Sequence, residues 1–198
     1  MKILVAGATG KTGTRLVNEL RTRSHAPIAL VRESSDTSKL PVDTELRRAD
    51  LTDLPEGVCD DCDAVIFAAG SGGDTDAEMT EKVDREGAKD LVDQAVSAKI
   101  QRFVMLSSAG AEDPNLDSEM GHYLKAKHDA DEHLKHSGLS FAILRPVKLT
   151  DEEGERNLRF GQEVQLDAEA ARGDVASVLA DAVESSRWEN KVARMQSA

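Results

Sequence analysis

The G-A-T-G-K-T-G stretch at residues 7–13 decides the fold of this 198-residue chain. It follows a short apolar run at residues 2–6 and precedes apolar residues at helical spacing, so the pattern predicts a strand, a tight turn and a helix. Three glycines at such a turn are typical of dinucleotide binding. Gly7 would make the turn, Gly10 would let the backbone approach a pyrophosphate, and Gly13 would let the helix pack on the strand. The helix N-terminus would add free N–H groups and a favourable dipole for the phosphates.

A second motif overlaps this turn. Gly10-Lys11-Thr12 matches the end of the G-x-x-x-x-G-K-T loop that binds phosphates in NTPases. That loop also needs a glycine at the position of Val5, which lies in the middle of the predicted strand, and the turn is too short to wrap a β-phosphate. We therefore exclude an NTPase.

Strands and helices alternate along the rest of the chain. This alternation predicts an α/β fold: a Rossmann-like, doubly wound parallel sheet with helices on both faces, in a single domain of residues 1–198. The polar segment 150–161 follows the sixth strand, and we expect a small substrate or lid region around residues 147–172. The predicted strands are residues 2–6, 27–31, 45–49, 64–69, 102–106, 139–144 and 192–195, and the predicted helices lie within residues 77–99, 123–136 and 173–185.

Charge and hydropathy narrow the classes of partner. The chain has 37 acidic and 25 basic residues and a net charge of −12. Such a charge repels nucleic acids and anionic membranes, so we expect neither as a partner. No apolar run approaches the length of a membrane span and no leader precedes the first strand, so we expect a cytoplasmic protein that is a monomer or homodimer. The acidity fits either adaptation to salt or ordinary solubility.

The sequence gives little support for a metal or redox site. Cys59 and Cys62 form a single C-D-D-C motif without a second C-x-x-C, and the neighbouring aspartates would raise the thiol pKa. Four of the five histidines fall on or beside one predicted helix at spacings that do not suit zinc. We therefore expect no bound metal and assign the cysteine pair no role.

The end of the second strand indicates the type of cofactor. An acidic residue there would bind the ribose 2′-hydroxyl of NAD, whereas an arginine would pair with the 2′-phosphate of NADP. Arg32 occupies this position and predicts NADP(H), although Glu33 follows directly and keeps NAD possible. After the third strand, Asp50 either binds the adenine or caps a helix that begins near Thr52; both alternatives stay open.

Candidate catalytic residues follow the fifth strand. Ser107 and Ser108 end that strand, and the next helix carries Tyr123 and Lys127 four residues apart, hence on one face. A tyrosine beside a lysine ammonium can act as a proton donor or acceptor in hydride transfer to a carbonyl. Ser107 would hold the substrate oxygen. The alternative is a surface helix on which Tyr123 packs on the core and Lys127 is solvated.

The glycine turn and four further stretches, residues 64–70, 102–110, 123–146 and 149–154, resemble a known family. Over essentially its whole length the chain resembles the atypical short-chain dehydrogenase/reductases, in their single-domain, YhfK-like NAD(P)-binding branch, which is similar to biliverdin-IXβ/flavin reductases and to NAD(P)H-binding repressor-type proteins. The resemblance implies a Rossmann fold, bound NADP(H) and a substrate cleft at the carboxyl ends of the strands. It implies catalytic roles for Ser107, Tyr123 and Lys127 and cofactor binding by Gly7, Thr9, Gly10, Lys11, Thr12, Gly13, Arg32, Asp50, Leu51, Ala68, Ala69, Gly70, Ser108, Pro146 and Val147.

The chain departs from the family pattern after its sixth strand. Relatives usually have R-P-G where this sequence has Arg145-Pro146-Val147, so the wall of the pocket differs. We expect an NADP(H)-dependent oxidoreductase or a related epimerase that acts on a small carbonyl, flavin-like or sugar substrate. The alternative is a non-catalytic sensor of the redox state of NAD(P)(H), as some relatives are. A scaffold that has lost cofactor binding is disfavoured because the glycine turn is intact.

Overall fold

A computed structural model describes residues 1–70 and 77–198 of the chain. Its main sheet has eight strands in the order β3-β2-β1-β4-β5-β6-β10-β8, and β7 and β9 form a separate two-stranded sheet. The strands are β1 Lys2–Ala6, β2 Ala26–Val31, β3 Glu45–Arg48, β4 Ala64–Phe67, β5 Arg102–Leu106, β6 Phe141–Pro146, β7 Lys148–Thr150, β8 Leu158–Phe160, β9 Glu169–Ala171 and β10 Lys191–Ser197.

Helices connect the strands and cover both faces of the sheet. The helices are α1 Lys11–Thr22, α2 Ala77–Thr80, a π-helical segment Glu81–Gly87, α3 Ala88–Ser97, α4 Gly121–His136 and α5 Arg172–Glu184, with 3₁₀ turns at Gly161–Glu163 and Ser186–Trp188. The single helix predicted within residues 77–99 is thus interrupted by a π-helical segment, a feature that is frequent at functional sites.

The strand order confirms the predicted fold class. All neighbours in the main sheet are parallel except β8, which runs antiparallel to β10. The order β3-β2-β1-β4-β5-β6 is that of a Rossmann fold, and the direction of winding changes between β1 and β4. In such sheets a ligand binds at the carboxyl ends of the strands, beside that change of direction.

Two apolar cores lie on opposite faces of the sheet because alternate strand residues point to opposite sides. One core packs Val5, Val31 and Val104 against α1 and α5. The other packs Leu4, Phe67 and Met105 against α3 and α4. Because both faces are covered, the inner strands are almost entirely apolar, as their sequences indicated.

Two local expectations were wrong. No helix begins near Thr52, where Asp50 instead accepts hydrogen bonds from the Thr52 N–H and hydroxyl at 2.9 Å and closes a turn. The segment predicted as a loop at residues 150–161 contains the short strand β8, because residues 158–160 gain a pairing edge on β10. The sequence could not reveal this edge, since β10 lies about 30 residues further along the chain.

Candidate functional site

The glycine turn packs too closely for side chains at two of its three glycines. Gly7 has φ +80°, and a Cβ atom there would lie 2.6 Å from the backbone of Ala69. A Cβ atom on Gly13 would lie 2.0 Å from the Gly7 carbonyl oxygen. The turn thus needs glycine at both positions, as the sequence predicted, because the start of α1 lies directly on β1 and β4.

Gly10 leaves the N-terminus of α1 open. It is exposed, it supplies no capping side chain, and the first turn of α1 has no acidic residue. The first backbone N–H groups of a helix have no partners within it, so those of α1 are available to an anion. A dinucleotide pyrophosphate fits these groups, with Thr9 half-buried and Thr12 buried beside the turn.

Lys11, which was expected to bind the cofactor, forms an exposed ion pair in the structure. Its ammonium donates to Asp151 at 2.5 Å, and Asp151 also forms an ion pair with Arg172 at 2.7 Å. Arg15, one turn further along α1, binds Glu153 at 2.6 Å and the Asp151 carbonyl oxygen at 2.6 Å. Residues 151–156, here called the strap, are therefore tied to the same helix that offers its N-terminus to the cofactor.

The residues expected around the adenosine lie together at the carboxyl ends of β2 and β3. The Arg32 side chain is exposed, and its guanidinium has no ion pair within the described residues. The backbone hydrogen bond from Thr52 lowers the pKa of the nearby Asp50 carboxyl. The positive charge of Arg32 lowers it further. Leu51 packs against the π-helical segment, where a Cβ atom on Gly87 would lie 2.5 Å from its carbonyl oxygen.

Lys127 is buried where β4 and β5 end. Its ammonium pairs with Asp84 at 2.9 Å and lies 3.3 Å from the Ala69 carbonyl oxygen and 3.5 Å from that of Leu106. Burial by itself lowers the pKa of this lysine, but the charge and hydrogen bond of Asp84, together with the neighbouring Tyr123 and Asp131, raise it above the usual value. Lys127 therefore stays charged.

Tyr123 lies one helical turn before Lys127. The Lys127 ammonium is 5.7 Å from the centre of the half-buried Tyr123 ring and 5.6 Å from that of Phe67. The structure thus brings together the predicted Tyr123 and Lys127 next to the small residues Ala68, Ala69 and Gly70. The solvated position considered for Lys127 is wrong.

Ser107 points into a buried polar cluster. Its hydroxyl donates to Asp131 Oδ2 at 2.8 Å, and the same oxygen accepts a hydrogen bond from Arg145 Nε at 3.0 Å and forms an ion pair with Arg145 Nη2 at 2.9 Å. Burial raises the pKa of the Asp131 carboxyl, although Arg145 and Ser107 act in the opposite direction. Because the single hydroxyl hydrogen is used on Asp131, Ser107 in this arrangement can only accept a hydrogen bond from a substrate.

The other predicted residues differ in how far they reach the rim of the sheet. The half-buried Ser108 hydroxyl lies 3.3 Å from the Ala109 carbonyl oxygen. Pro146 ends β6, pairs with Met195 of β10 and is buried. Val147 is 5% exposed and packs in the core that includes α5.

Three buried charged residues were missed in the sequence. Asp84, Asp131 and Arg145 all lie beside the predicted catalytic residues and are almost fully buried. The sequence feature that could have revealed them is a charged residue at a position whose neighbours in the pattern are apolar. Asp84 lies at helical spacing before the buried Ala88, Leu91 and Ala95, and Arg145 continues an apolar strand. A charged residue at such a position is rarely buried without a partner.

Neither cysteine is placed for redox chemistry. Both are free thiols, and burial raises the pKa of Cys59 to about 12 and also raises that of Cys62. Arg47 donates a hydrogen bond to Cys62 Sγ at 3.3 Å. Among residues 1–70 and 77–198, no group of three or more histidine, cysteine or acidic side chains could hold a metal ion.

Comparison with known proteins identifies the family. Residues 7–186 match the model of the NAD(P)H-binding family. The chain belongs to this family. An uncharacterised sugar epimerase of Bacillus subtilis, YhfK, is 34% identical over 197 residues, which cover 96% of this chain and 92% of YhfK. The resemblance inferred from the sequence is confirmed at the level of this family.

Two solved structures agree with this membership. A Bacillus halodurans protein, provisionally assigned as an NAD-dependent epimerase/dehydratase, is 33% identical with a TM-score of 0.93 and covers 100% of this chain and 94% of its own. The oxidoreductase ylbE from Lactococcus lactis is 29% identical with a TM-score of 0.87, over 100% of this chain and 91% of its own. A short-chain dehydrogenase/reductase from Veillonella parvula in complex with NADP shares the fold, with a TM-score of 0.75 at 15% identity, over 98% of this chain and 94% of its own.

The family match shows NAD(P)H binding, and the structure has an open helix N-terminus and a buried lysine at the carboxyl ends of its parallel strands. The turn at Gly7 packs against Ala69, and the Lys127 ammonium lies 3.3 Å from the Ala69 carbonyl oxygen, so the glycine turn and the pair of Tyr123 and Lys127 are neighbours on this rim. The described part of the chain has no helix with the length and hydropathy needed to cross a bilayer.

Proposed function

We propose that this protein is an NADP(H)-dependent oxidoreductase, or a related epimerase, that acts on a small carbonyl, flavin-like or sugar substrate. The observation that carries the proposal is the position of Lys127. Its charge is fixed 5.7 Å from the centre of the Tyr123 ring, on the rim that starts with the glycine turn. NADPH would supply a hydride there.

Tyr123 is the proton donor or acceptor in this proposal. Its ring is half-buried on the first turn of α4, so the hydroxyl can reach solvent or substrate while the ring stays fixed. The positive charge of Lys127 stabilises negative charge that develops on the phenolic oxygen during proton transfer. Asp84 anchors the ammonium, although its own charge offsets part of this effect.

Replacement of Tyr123 by phenylalanine tests this role. Tyr123→Phe keeps the ring and removes only the hydroxyl, so we expect turnover to fall about 100-fold or more while the Kd for NADPH stays within about twofold. The measurement is NADPH oxidation against carbonyls, quinones, flavins and nucleotide sugars, with cofactor binding followed by titration. Turnover that survives the substitution would show that Tyr123 is not the proton donor.

NADP(H) is preferred to NAD(H) in our proposal because Arg32 has an exposed guanidinium at the end of β2. We expect Arg32→Ala to weaken NADPH binding about tenfold and to leave NADH binding within about twofold. Fluorescence titration of both cofactors checks this. Arg21→Ala is the matched control, since Arg21 is an exposed arginine in the last turn of α1, at the far end of that helix. Equal affinities of the wild type for NADPH and NADH would contradict the preference.

A second function, a non-catalytic sensor of the redox state of NADP(H), is favoured by one observation. The Lys127 ammonium is paired with Asp84, and the Ser107 hydroxyl donates its hydrogen to Asp131, so both groups already have partners in the protein itself. A sensor must bind the two redox forms with different affinity, because equal binding shifts no equilibrium. Equal Kd values for NADP⁺ and NADPH would exclude this function.

The proposal also covers the substrate region, the binding partners, the cellular compartment and the oligomeric state. Residues 147–172 form the substrate region, a small molecule is the partner, and the protein acts in the cytoplasm as a monomer or homodimer. Nucleic acids and membrane surfaces are not partners in this proposal, because a net charge of −12 opposes both.

A further inference from the structure

Two arginines, Arg32 and Arg48, lie at the rim where β2 and β3 end. Arg48 is the last residue of β3, and the parallel register places it beside Val31, directly before Arg32. Its guanidinium forms an exposed ion pair with Glu33, with Nη1 3.2 Å from Oε2. An exposed ion pair of this kind contributes little to stability, so little is lost when another anion takes the place of the Glu33 carboxylate.

Arg48 points to the same side of the sheet as α1. Its neighbour Arg47 points to the other side, where it donates to the carbonyl oxygens of Val58 at 2.8 Å and Asp60 at 2.9 Å. Because successive strand residues alternate, Arg48 shares the side of Val31, which packs in the core with α1. The helix whose N-terminus is open to the pyrophosphate therefore lies on the same side as Arg48.

We propose that Arg48 is a second ligand of the 2′-phosphate of NADP(H) and that Glu33 occupies this guanidinium in the free protein. On binding, the phosphate replaces the Glu33 carboxylate, and Arg32 and Arg48 hold it from two neighbouring strands. A phosphate accepts paired hydrogen bonds from guanidinium groups better than from an ammonium, which suits two arginines at this point. The inference rests on the proposed use of NADP(H).

This proposal gives Glu33 a role opposite to the one that the sequence left open. An acidic residue after β2 would favour NAD by binding the ribose 2′-hydroxyl. In the structure the Glu33 carboxylate is instead turned to Arg48. It then acts as a competitor of the phosphate and tunes the preference for NADP over NAD without contact with the ribose.

The test compares the binding of NADP⁺ and NAD⁺ by calorimetry in four proteins: wild type, Arg48→Ala, Glu33→Gln and the double variant. Arg48→Ala should weaken NADP⁺ binding about tenfold and change NAD⁺ binding by less than about twofold. Glu33→Gln should strengthen NADP⁺ binding about two- to fivefold, and this gain should shrink in the double variant. Arg21→Ala controls for the loss of one positive charge elsewhere on the surface.

Any result that differs from these expectations overturns a specific part of the proposal. A wild type that prefers NADP⁺, with a preference unchanged by Arg48→Ala, overturns the role of Arg48 and leaves the proposed function standing. A gain from Glu33→Gln of equal size with and without Arg48 overturns the exchange of partners. Weaker NAD⁺ binding by Glu33→Gln means that Glu33 binds the ribose. A wild type that binds neither nucleotide overturns the proposed function itself.

Discussion

Buried charged residues beneath the candidate site form ion pairs with one another, and the stability of the protein depends strongly on one of them, Asp131. Its Oδ2 atom accepts one hydrogen bond from Ser107 and one from Arg145 Nε and forms an ion pair with Arg145 Nη2, whereas Oδ1 is buried without a hydrogen-bond partner among the described residues. Arg145 is itself nearly inaccessible, and within the same part of the chain its other ionic contact is Glu112 at 3.5 Å. Asp131 therefore carries most of the compensation for a buried positive charge.

We expect Asp131→Ala to lower the free energy of unfolding by about 3–5 kcal/mol, because it leaves the Arg145 charge buried without its main partner. Ser107→Ala removes one hydrogen bond from the same oxygen and should cost only about 1 kcal/mol. Urea denaturation of the two variants and the wild type measures both values. Equal losses for the two variants would show that Asp131 does not compensate Arg145.

The sequence identified some of these residues and missed others for a physical reason. The four-residue spacing of Tyr123 and Lys127 places them on one face of a helix, so their proximity followed from local geometry. Asp84 lies about 40 residues before Lys127 and reaches it only because the π-helical segment packs against α4. No local pattern connects two such distant residues.

Among the elements of structure, the strap at residues 151–156 lies within the segment that was expected to form a substrate or lid region. The expectation was a polar lid, but Arg15 binds Glu153, Arg156 binds Glu19 at 3.2 Å, and the Gly173 N–H donates to the Glu152 carbonyl oxygen at 3.0 Å. These contacts tie the strap to α1 and α5. Gly154 makes the arrangement possible, because its φ is +74° and a Cβ atom there would lie 2.2 Å from the buried carboxylate of Asp174.

Gly154→Ala therefore tests the strap. Gly138 is a matched control, since it has φ +82° but no described atom within 4 Å of the position that a Cβ atom would take. We expect Gly138→Ala to cost about 1 kcal/mol from backbone strain alone. Gly154→Ala should cost at least about 1–2 kcal/mol more, because Asp174 must move away from the hydrogen bonds that Arg156 and Ser197 donate to it. Thermal or urea unfolding checks the difference, and equal costs would mean that the strap adapts freely.

The molecule as a whole has buried groups that keep their protons at alkaline pH. Burial raises the pKa of Cys59 from 9.0 to about 12, and the pKa of Lys127 is also raised. In that range the unfolded chain releases a proton that the folded protein retains. The free energy of unfolding therefore falls as the pH rises above about 9.

We expect this fall to be less steep in Cys59→Ala than in the wild type, by up to about 1.4 kcal/mol per pH unit, since the variant lacks one of the retained protons. Urea denaturation at pH about 8, 9, 10 and 11 gives the two slopes. The cavity left by the substitution lowers stability at every pH and so does not affect the comparison of slopes. Parallel curves would show that Cys59 ionises equally in the folded and unfolded protein.

The sequence by itself determined the turn at residues 7–13, the alternation of strands and helices, and the proximity of Tyr123 to Lys127. These features depend on residues close together in the chain, where spacing and backbone geometry leave few alternatives. Only the tertiary structure decided that Lys127 binds Asp84, that Lys11 binds Asp151 and that Arg48 meets Glu33. Each of these pairs joins residues from different elements, and electrostatic pairing depends on distance in space, which the order of residues does not give.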